Sequence, residues 1–469
     1  MDLLSVDACG LSERIAASDI SAAEVMRATL ARIAAVNGTV NAIVSLRAQE
    51  ELLAEAEAAD RAPRKGWLHG IPMAIKDLAD AAGFATSQGS PIFRDHIAQR
   101  DDLVVSRLRA AGAIIIGKTN TPEFGLGSHT FNPVHGATRN PYDPSRSAGG
   151  SSGGAAAALA CGMLAVADGS DMMGSLRNPA AWNNVYGMRP SHGVVSGGLE
   201  GDLFLHPLST SGPMARTPRD LAALLDTMAA LDRPRAFGLS VPTTLPQIDA
   251  ALSPVRAGWL GDWGGALPYE AGILDLCDSA LEQMRGLGWR VTDLTAPFDA
   301  EDLWRSWTTL RSFAVANSLG ALHDNPTLRA QLKTAALWEV QRGGALSGVE
   351  IQQASSIRSD WFRRAMALFE DHDILVAPSA QVWPFAVEQV HPATIAGREM
   401  DTYHRWMETV IPASLIGLPV VSVPVGFGAR GLPMGVQLVG RPGSDGLLLR
   451  IAQRWHLATG WPQQRPATV

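Results

Sequence analysis

Cysteine is scarce in this chain. Cys9, Cys161 and Cys277 stand far apart among 469 residues. An odd, scattered set builds no disulfide framework and fits a reducing compartment, so the expectation is a cytoplasmic protein. Cys161 lies in an apolar run, where a small buried residue is expected rather than a nucleophile. Paired histidines are missing too. The eleven histidines are dispersed, with no His-x-x-x-His spacing on one helical face, so neither a metal nor another cofactor is expected. His192 and His404 lie nearest the segments of interest, and without a partner motif both read as structural or surface residues. Excess positive charge is absent: a formal net charge of −7 gives no reason to expect nucleic acid. No window holds the roughly 18 uninterrupted apolar residues of a membrane span. The start, Met1-Asp2-Leu3-Leu4-Ser5-Val6-Asp7, has neither the basic nor the apolar region of a signal peptide.

Glycine, in contrast, is plentiful, and it gathers beside serine between Ser145 and Gly193. The run reads S-R-S-A-G-G-S-S-G-G-A-A-A-A, then D-G-S-D-M-M-G-S-L-R-N-P-A, then Y-G-M-R-P-S-H-G. Glycine loses more backbone entropy on folding than any other residue, so this composition costs stability. Such a cost is expected where backbone N–H groups must approach a ligand or a developing charge. The segment is the candidate active site.

No repeat and no low-complexity linker interrupts the chain, which reads as one domain in four stretches. Residues 1–62 read as N-terminal helices, with Ser21 as an N-cap and apolar residues at helical spacing (Val25, Met26, Leu30, Ile33). Residues 63–230 read as a core. There Gly70–Lys76 is a short buried strand, 102–111 a helix, Ala113–Ile116 a strand, 153–161 a glycine-opened helix and Met163–Ala167 the next strand. Residues 231–370, richer in Trp, Arg and helical pattern (Leu274–Leu287, Ser347–Glu370), read as a helical excursion covering the core. Residues 371–469 return to it through Ile374–Ala377, Pro419–Val425 and Met434–Val439, with a closing helix over 445–456. Alternating strands and helices predict an α/β fold with a mostly parallel or mixed sheet.

Three positions carry chemistry: Lys76 at the end of an apolar strand, Ser151 in Gly-Gly-Ser-Ser-Gly-Gly, and Ser175 in Gly-Ser-Leu-Arg. A serine hydroxyl is a poor nucleophile until a base takes its proton. Lysine can be that base only when neutral, and burial lowers its pKa by disfavouring the ammonium. A fall from about 10.4 to about 7 corresponds to roughly 4–5 kcal/mol at about 1.36 kcal/mol per unit. Read singly, Lys76 fits a snorkelling strand-edge lysine and the serines fit a Gly/Ser turn.

Read together, Lys76, Gly-Gly-Ser151-Ser-Gly-Gly and Gly-Ser-Asp-x-x-Gly-Ser175-x-Arg-x-Pro-Ala resemble the amidase signature family. Lys76 and Ser151 are 75 residues apart, and Ser151 and Ser175 are 24 apart, in agreement with that family. Gly117-Lys118-Thr119-Asn120, Gly187-Met188-Arg189-Pro190, Gly417-Leu418-Pro419 and Gly431–Leu438 match further landmarks in register. The resemblance implies an α/β/α sandwich with a large, mixed, twisted sheet covered by helices on both faces. It also implies roles. Ser175 is the nucleophile, and Ser151, entered through a cis peptide bond, relays the proton to Lys76. The N–H groups of Met172, Met173, Gly174 and Ser175 form the oxyanion hole, where one donor is typically worth about 3–4 kcal/mol of barrier. Ser152, Ser170 (threonine in most of the family), Asp171 and Arg177 stand behind them, the last two holding the oxyanion loop. Met173 departs from the family, which commonly has glycine there. If the position needed positive φ, methionine would be strained; the loop is expected to keep its function, with the side chain buried against the core or the neighbouring helix.

The family acts on fatty acid, aryl, peptide and cyclic amides, on carbamates, and on glutamine within an amidotransferase complex. By resemblance Gly125, Leu126 and Gly127 line the acyl pocket. Where glutamine-handling members carry an aspartate, this chain has Met407, beside Trp406. That favours an apolar or aromatic small-molecule amide or carbamate as the substrate of a monomer or homodimer, although both residues also suit a plain core. Three other readings stay open. Gly149–Gly153 also matches the G-x-S-x-G elbow of α/β-hydrolases, with His391 or His456 as the required histidine. The glycines could hold a phosphate, although no G-x-x-x-x-G-K-[ST] is present here. The chain could also work only inside an assembly.

Overall fold

A computed structural model describes residues 3–197, 202–229 and 236–467. The boundary drawn at 230/231 lies outside the described residues. In chain order the first strands are β1 Ile43–Val44, β2 Pro72–Lys76 and β3 Ile114–Thr119, followed by the ribbons β4 Phe131–Asn132 with β5 Gly136–Ala137 and β6 Arg139–Asn140 with β7 Asp143–Ser147. Next come β8 Val166–Asp171, β9 Tyr186–Arg189, β10 Thr210–Ala215, β11 Arg256–Trp259, β12 Arg290–Asp293 and β13 Ile374–Pro378. The ribbon β14 Thr394–Ile395 with β15 Arg398–Glu399 and the long hairpin β16 Val420–Phe427 with β17 Pro433–Val439 complete the set.

Eight strands form the main sheet in the order β12-β11-β13-β17-β16-β9-β10-β8, and β1-β3-β2 form a second sheet. Pairing is mixed. The β11–β12, β11–β13 and β2–β3 pairs are parallel, whereas β16–β17 and β8–β10 are antiparallel. The α/β class with a large mixed sheet and helices is therefore as expected. The two sheets meet at the site, where the backbone N–H of Lys76, ending β2, donates to the Asp168 carboxylate of β8 at 3.0 Å.

Local signals explain most elements. Ser21 caps the helix Ala22–Val40 and Ser347 caps Gly348–Asp371, each in a capping box with the glutamate three residues on. The helix Gly153–Ala160 is buried along its whole length. A Cβ on Gly154 would lie 2.3 Å from the backbone nitrogen of Asn120, so glycine lets this helix touch the end of β3. Two expectations need correction. The strand expected over Met163–Ala167 runs instead over Val166–Asp171. Residues 161–165 are used up in leaving the helix, through Gly162 at φ 70°, and the strand continues across polar Asp168, Ser170 and Asp171 because each has a buried partner. The excursion over 231–370 is not only a cover, since β11 and β12 form one edge of the main sheet.

Candidate active site

Lys76 ends β2 among Met73, Ala74 and Ile75, all fully buried, and is itself 1% exposed. Its Nζ lies 2.7 Å from Ser151 Oγ, 2.9 Å from Ser152 Oγ and 3.1 Å from Ser170 Oγ, with the Ser170 carbonyl at 3.3 Å. Every one of these partners is neutral. Burial pushes the Lys76 ammonium down to about 7, against the opposing pull of Asp168 and Asp171. Burial thus favours the neutral amine, whose lone pair can take a proton from a hydroxyl within 3 Å.

The Gly150–Ser151 peptide is cis. Ser128 Oγ donates to the Gly150 carbonyl at 2.5 Å, fixing that peptide. Ser152 N–H donates to the Ser175 carbonyl at 3.2 Å, which ties the two serine segments together. Ser151 and Ser175 both open onto one cleft of about 200 Å³. Ser170, Met172, Met173, Gly125, Leu126, Gly127 and Met407 line the same cleft, so every residue expected at the substrate or on the nucleophile's approach is there except Gly174.

Gly174 has a different task from the one expected. Its N–H donates to Asp171 Oδ1 at 3.0 Å, and its φ of 80° bends the chain so that the Leu176 N–H reaches Asp171 Oδ2, also at 3.0 Å. A Cβ there would meet Val410 at 3.0 Å. Gly174 thus shapes the turn and turns its hydrogen inward. Among the described residues, none accepts a hydrogen bond from the N–H of Met172, Met173 or Ser175. Three of the four N–H groups expected as donors therefore have no partner among the described residues. Met173 does not have positive φ; that conformation falls on Gly174. The Met173 side chain is 3% exposed and joins the main apolar core, as expected.

Asp171 and Arg177 anchor this turn. The carboxylate accepts from Arg177 Nε and Nη2 at 3.0 Å each and from Arg189 Nη1 at 3.3 Å. Burial favours its neutral form, but Arg177 and Arg189 outweigh burial and hold it well below the usual carboxylate range. Arg177 reaches on to Gln437 Oε1 at 2.6 Å and Ser414 Oγ at 2.5 Å. The turn behind Ser175 is thereby bolted to Gln437 of the C-terminal hairpin and to Ser414 just before it, both more than 230 residues away in sequence.

The structure adds residues that sequence reasoning missed. Asp168 is buried between Lys76 and Lys118, and burial raises its pKa against the pull of both lysines. The helix Ala300–Asp324 lays Arg311, Ala314, Val315, Ser318 and Leu319 along the cleft. That i, i+3, i+4, i+7, i+8 spacing is a legible signal of one buried face. Leu78, Gln88, Phe124 and Ser209 complete much of the lining. Trp406 does not reach the cleft. It stacks on Trp182 at 5.9 Å in the core. His404 is fully buried among Trp304, Trp338 and Tyr403, and His192 is partly buried, so neither is a surface residue. His456 contacts Tyr186, and His391 bonds the Pro392 carbonyl; neither lines the cleft, which leaves the α/β-hydrolase reading without its histidine. Among the described residues no cluster of His, Cys, Asp and Glu could hold a metal ion.

Known proteins match this chain over nearly its whole length. The sequence profile of the family described as Amidase matches residues 24–449. An acylamidase of Rhodococcus erythropolis is 32% identical over 475 residues, covering 98% of this chain and 97% of that protein. A glutamyl-tRNA(Gln) amidotransferase component of Chloroflexus aurantiacus is 34% identical, covering 97% of each. Among solved structures, a bacterial aryl acylamidase superposes with a TM-score of 0.91 at 27% identity, over 98% of this chain and 97% of that one.

Proposed function

The chain belongs to the amidase family and is an amide-hydrolysing enzyme, and from that premise we propose that it cleaves small apolar or aromatic amides or carbamates through an acyl-enzyme on Ser175. Ser175 Oγ attacks the carbonyl while Ser151 takes its proton and passes its own to Lys76. The free N–H groups of Met172, Met173 and Ser175 receive the developing oxyanion. The proton returns through Ser151 to the leaving amine, and water repeats the sequence to release the acid.

One observation carries this reading: the Lys76 amine, pushed down to about 7 by burial, sits 2.7 Å from Ser151 Oγ in the cleft that Ser175 shares. A single purified chain should hydrolyse an aryl anilide, and a serine-directed phosphonate should label Ser175 and stop the reaction. Ser175→Ala should reduce turnover by about 10⁴-fold or more with the fold retained, the scale seen when a nucleophile that acts as part of a unit is removed. Label on Ser152, or wild-type turnover in the variant, would sink the assignment. Glutamine hydrolysis inside an amidotransferase complex is the second reading, favoured by the 34% identity to the Chloroflexus aurantiacus protein. It is disfavoured by Met407 and by the lack, among the described residues of the lining, of an Asp or Glu to hold a substrate ammonium. No helix among the described residues is long and apolar enough to cross a membrane. All three cysteines are free and buried, which supports a cytoplasmic location.

A further inference from the structure

Arg311 is the one charged residue among the described residues lining the cleft. It is 3% exposed and firmly held. Nε donates to Glu339 Oε1 at 2.8 Å, and Nη2 donates to Tyr403 Oη at 2.8 Å. Glu339 is fully used: Tyr403 Oη donates to Oε1 at 2.7 Å and Ser312 Oγ to Oε2 at 2.6 Å. Nη1 is treated differently. Its partner is the thioether sulfur of Met172, at 3.2 Å. A thioether is a weak acceptor, whereas a guanidinium N–H is a strong donor whose burial without an oxygen partner is costly. Met172 lies three residues before Ser175 and carries one of the three free N–H groups, so this under-used donor sits beside the reaction centre.

We propose that Arg311 is a specificity-determining residue, whose Nη1 donates to an oxygen acceptor of the substrate close to the scissile carbonyl and whose charge excludes substrates cationic at that place. The inference rests on the amide-hydrolase reading and narrows its substrates to amides that carry a second oxygen near the reacting carbonyl and no cation there. Glutamine, with an ammonium and no carboxylate among the described residues of the lining to meet it, falls outside that class. The guanidinium is rigid through its pair with Glu339, so little rotamer freedom is lost when it engages a substrate.

Two isosteric anilides test the charge. One carries a 3,3-dimethylbutyryl group and the other a trimethylammonioacetyl group. The ammonium activates its own carbonyl, so intrinsic reactivity works against the expected result. The wild-type chain should turn over the neutral anilide with a kcat/KM at least tenfold above that of the cation. Equal rates, or a faster cation, would overturn the proposal. Arg311→Met combined with Glu339→Gln removes both charges together and leaves no buried ion unpaired; there the neutral-to-cation ratio should fall at least tenfold. Methoxyacetyl and butyryl anilides test the hydrogen bond. The ratio of the first to the second should drop about tenfold in Arg311→Lys, and an unchanged ratio would reject the donor role. Failure of the underlying amide-hydrolase reading looks different: none of the three chains, wild type included, would cleave any of the four anilides.

Discussion

Two lysines in this molecule are pushed down to about 7 by the same cause, crowding by protein, and only one of them stands where a base is of use. Lys76 is fully buried and surrounded by the hydroxyls of Ser151, Ser152 and Ser170. Lys333 is half-buried, donates to the Leu126 carbonyl at 2.7 Å, and feels Glu123 and Arg311. A hydroxyl can give its proton to an amine and take another in exchange. A backbone carbonyl can only accept, so the lysine beside it props a wall. A shifted pKa therefore marks a candidate, and the partner atoms decide whether it becomes a base or a strut.

The distinction can be attacked directly. Lys76→Met should cut kcat/KM by about 10³-fold or more, within the range general-base removal reaches together with loss of the relay, whereas Lys333→Met should change it by less than tenfold. Equal losses in steady-state assays of the two variants would erase the difference between base and strut. Stability should report Lys76 as well. Its folded pKa of about 7 lies below the ordinary lysine value of 10.5, so the unfolded chain binds more protons between those pH values and stability rises with pH across that window. The Lys76 share is at most about 5 kcal/mol, at about 1.36 kcal/mol per unit. Denaturant titrations at pH 6.5 and 9.5 should show that rise reduced in Lys76→Met; an undiminished rise would place the lysine's burial cost elsewhere.

The pH profile gives a finer cut. kcat/KM should climb about tenfold per pH unit below 7 and level off above it as Lys76 becomes neutral, with Lys333→Met leaving the limb in place. A profile flat from pH 5 to 9 would reject the lysine base. Asp168→Asn should make the smallest change. Asparagine can still accept the Lys76 backbone N–H, so the geometry is kept while one attraction that favours the ammonium is lost. The limb should move to lower pH, measurable as a higher relative rate at pH 6 than in the wild type. Movement to higher pH would show that Asp168 does not act on Lys76 through its charge.

Much of the site is legible in the sequence because its parts are local words. The Gly/Ser runs around Ser151 and Ser175 and the strand before Lys76 each announce themselves within a dozen residues. What cannot be read is what depends on distant pairing. Asp168 sits in a segment too polar to look like a strand, and only the approach of β2 explains a carboxylate there. Arg311 belongs to a helix that reads as a cover, and its meaning comes from Glu339, Tyr403 and Met172. The place of Gly174 just before Ser175 suggests a donor to an oxyanion. Its turn, set by φ 80°, sends the N–H to Asp171 instead, a direction no motif records.

The helix Ala300–Asp324 and its partner Thr334–Gly344 occupy one uninterrupted stretch between β12 and β13, strands at the far side of the sheet from β8. Lys76, Ser151 and Ser175 and the one wall of the cleft formed by Arg311, Ala314, Val315, Ser318 and Leu319 are therefore written in separate passages of the chain, while the rest of the lining comes from elsewhere. A change in the second leaves the wording of the first untouched. That wall can be exchanged as one cassette of about 45 residues without altering the passages that carry Lys76, Ser151 and Ser175.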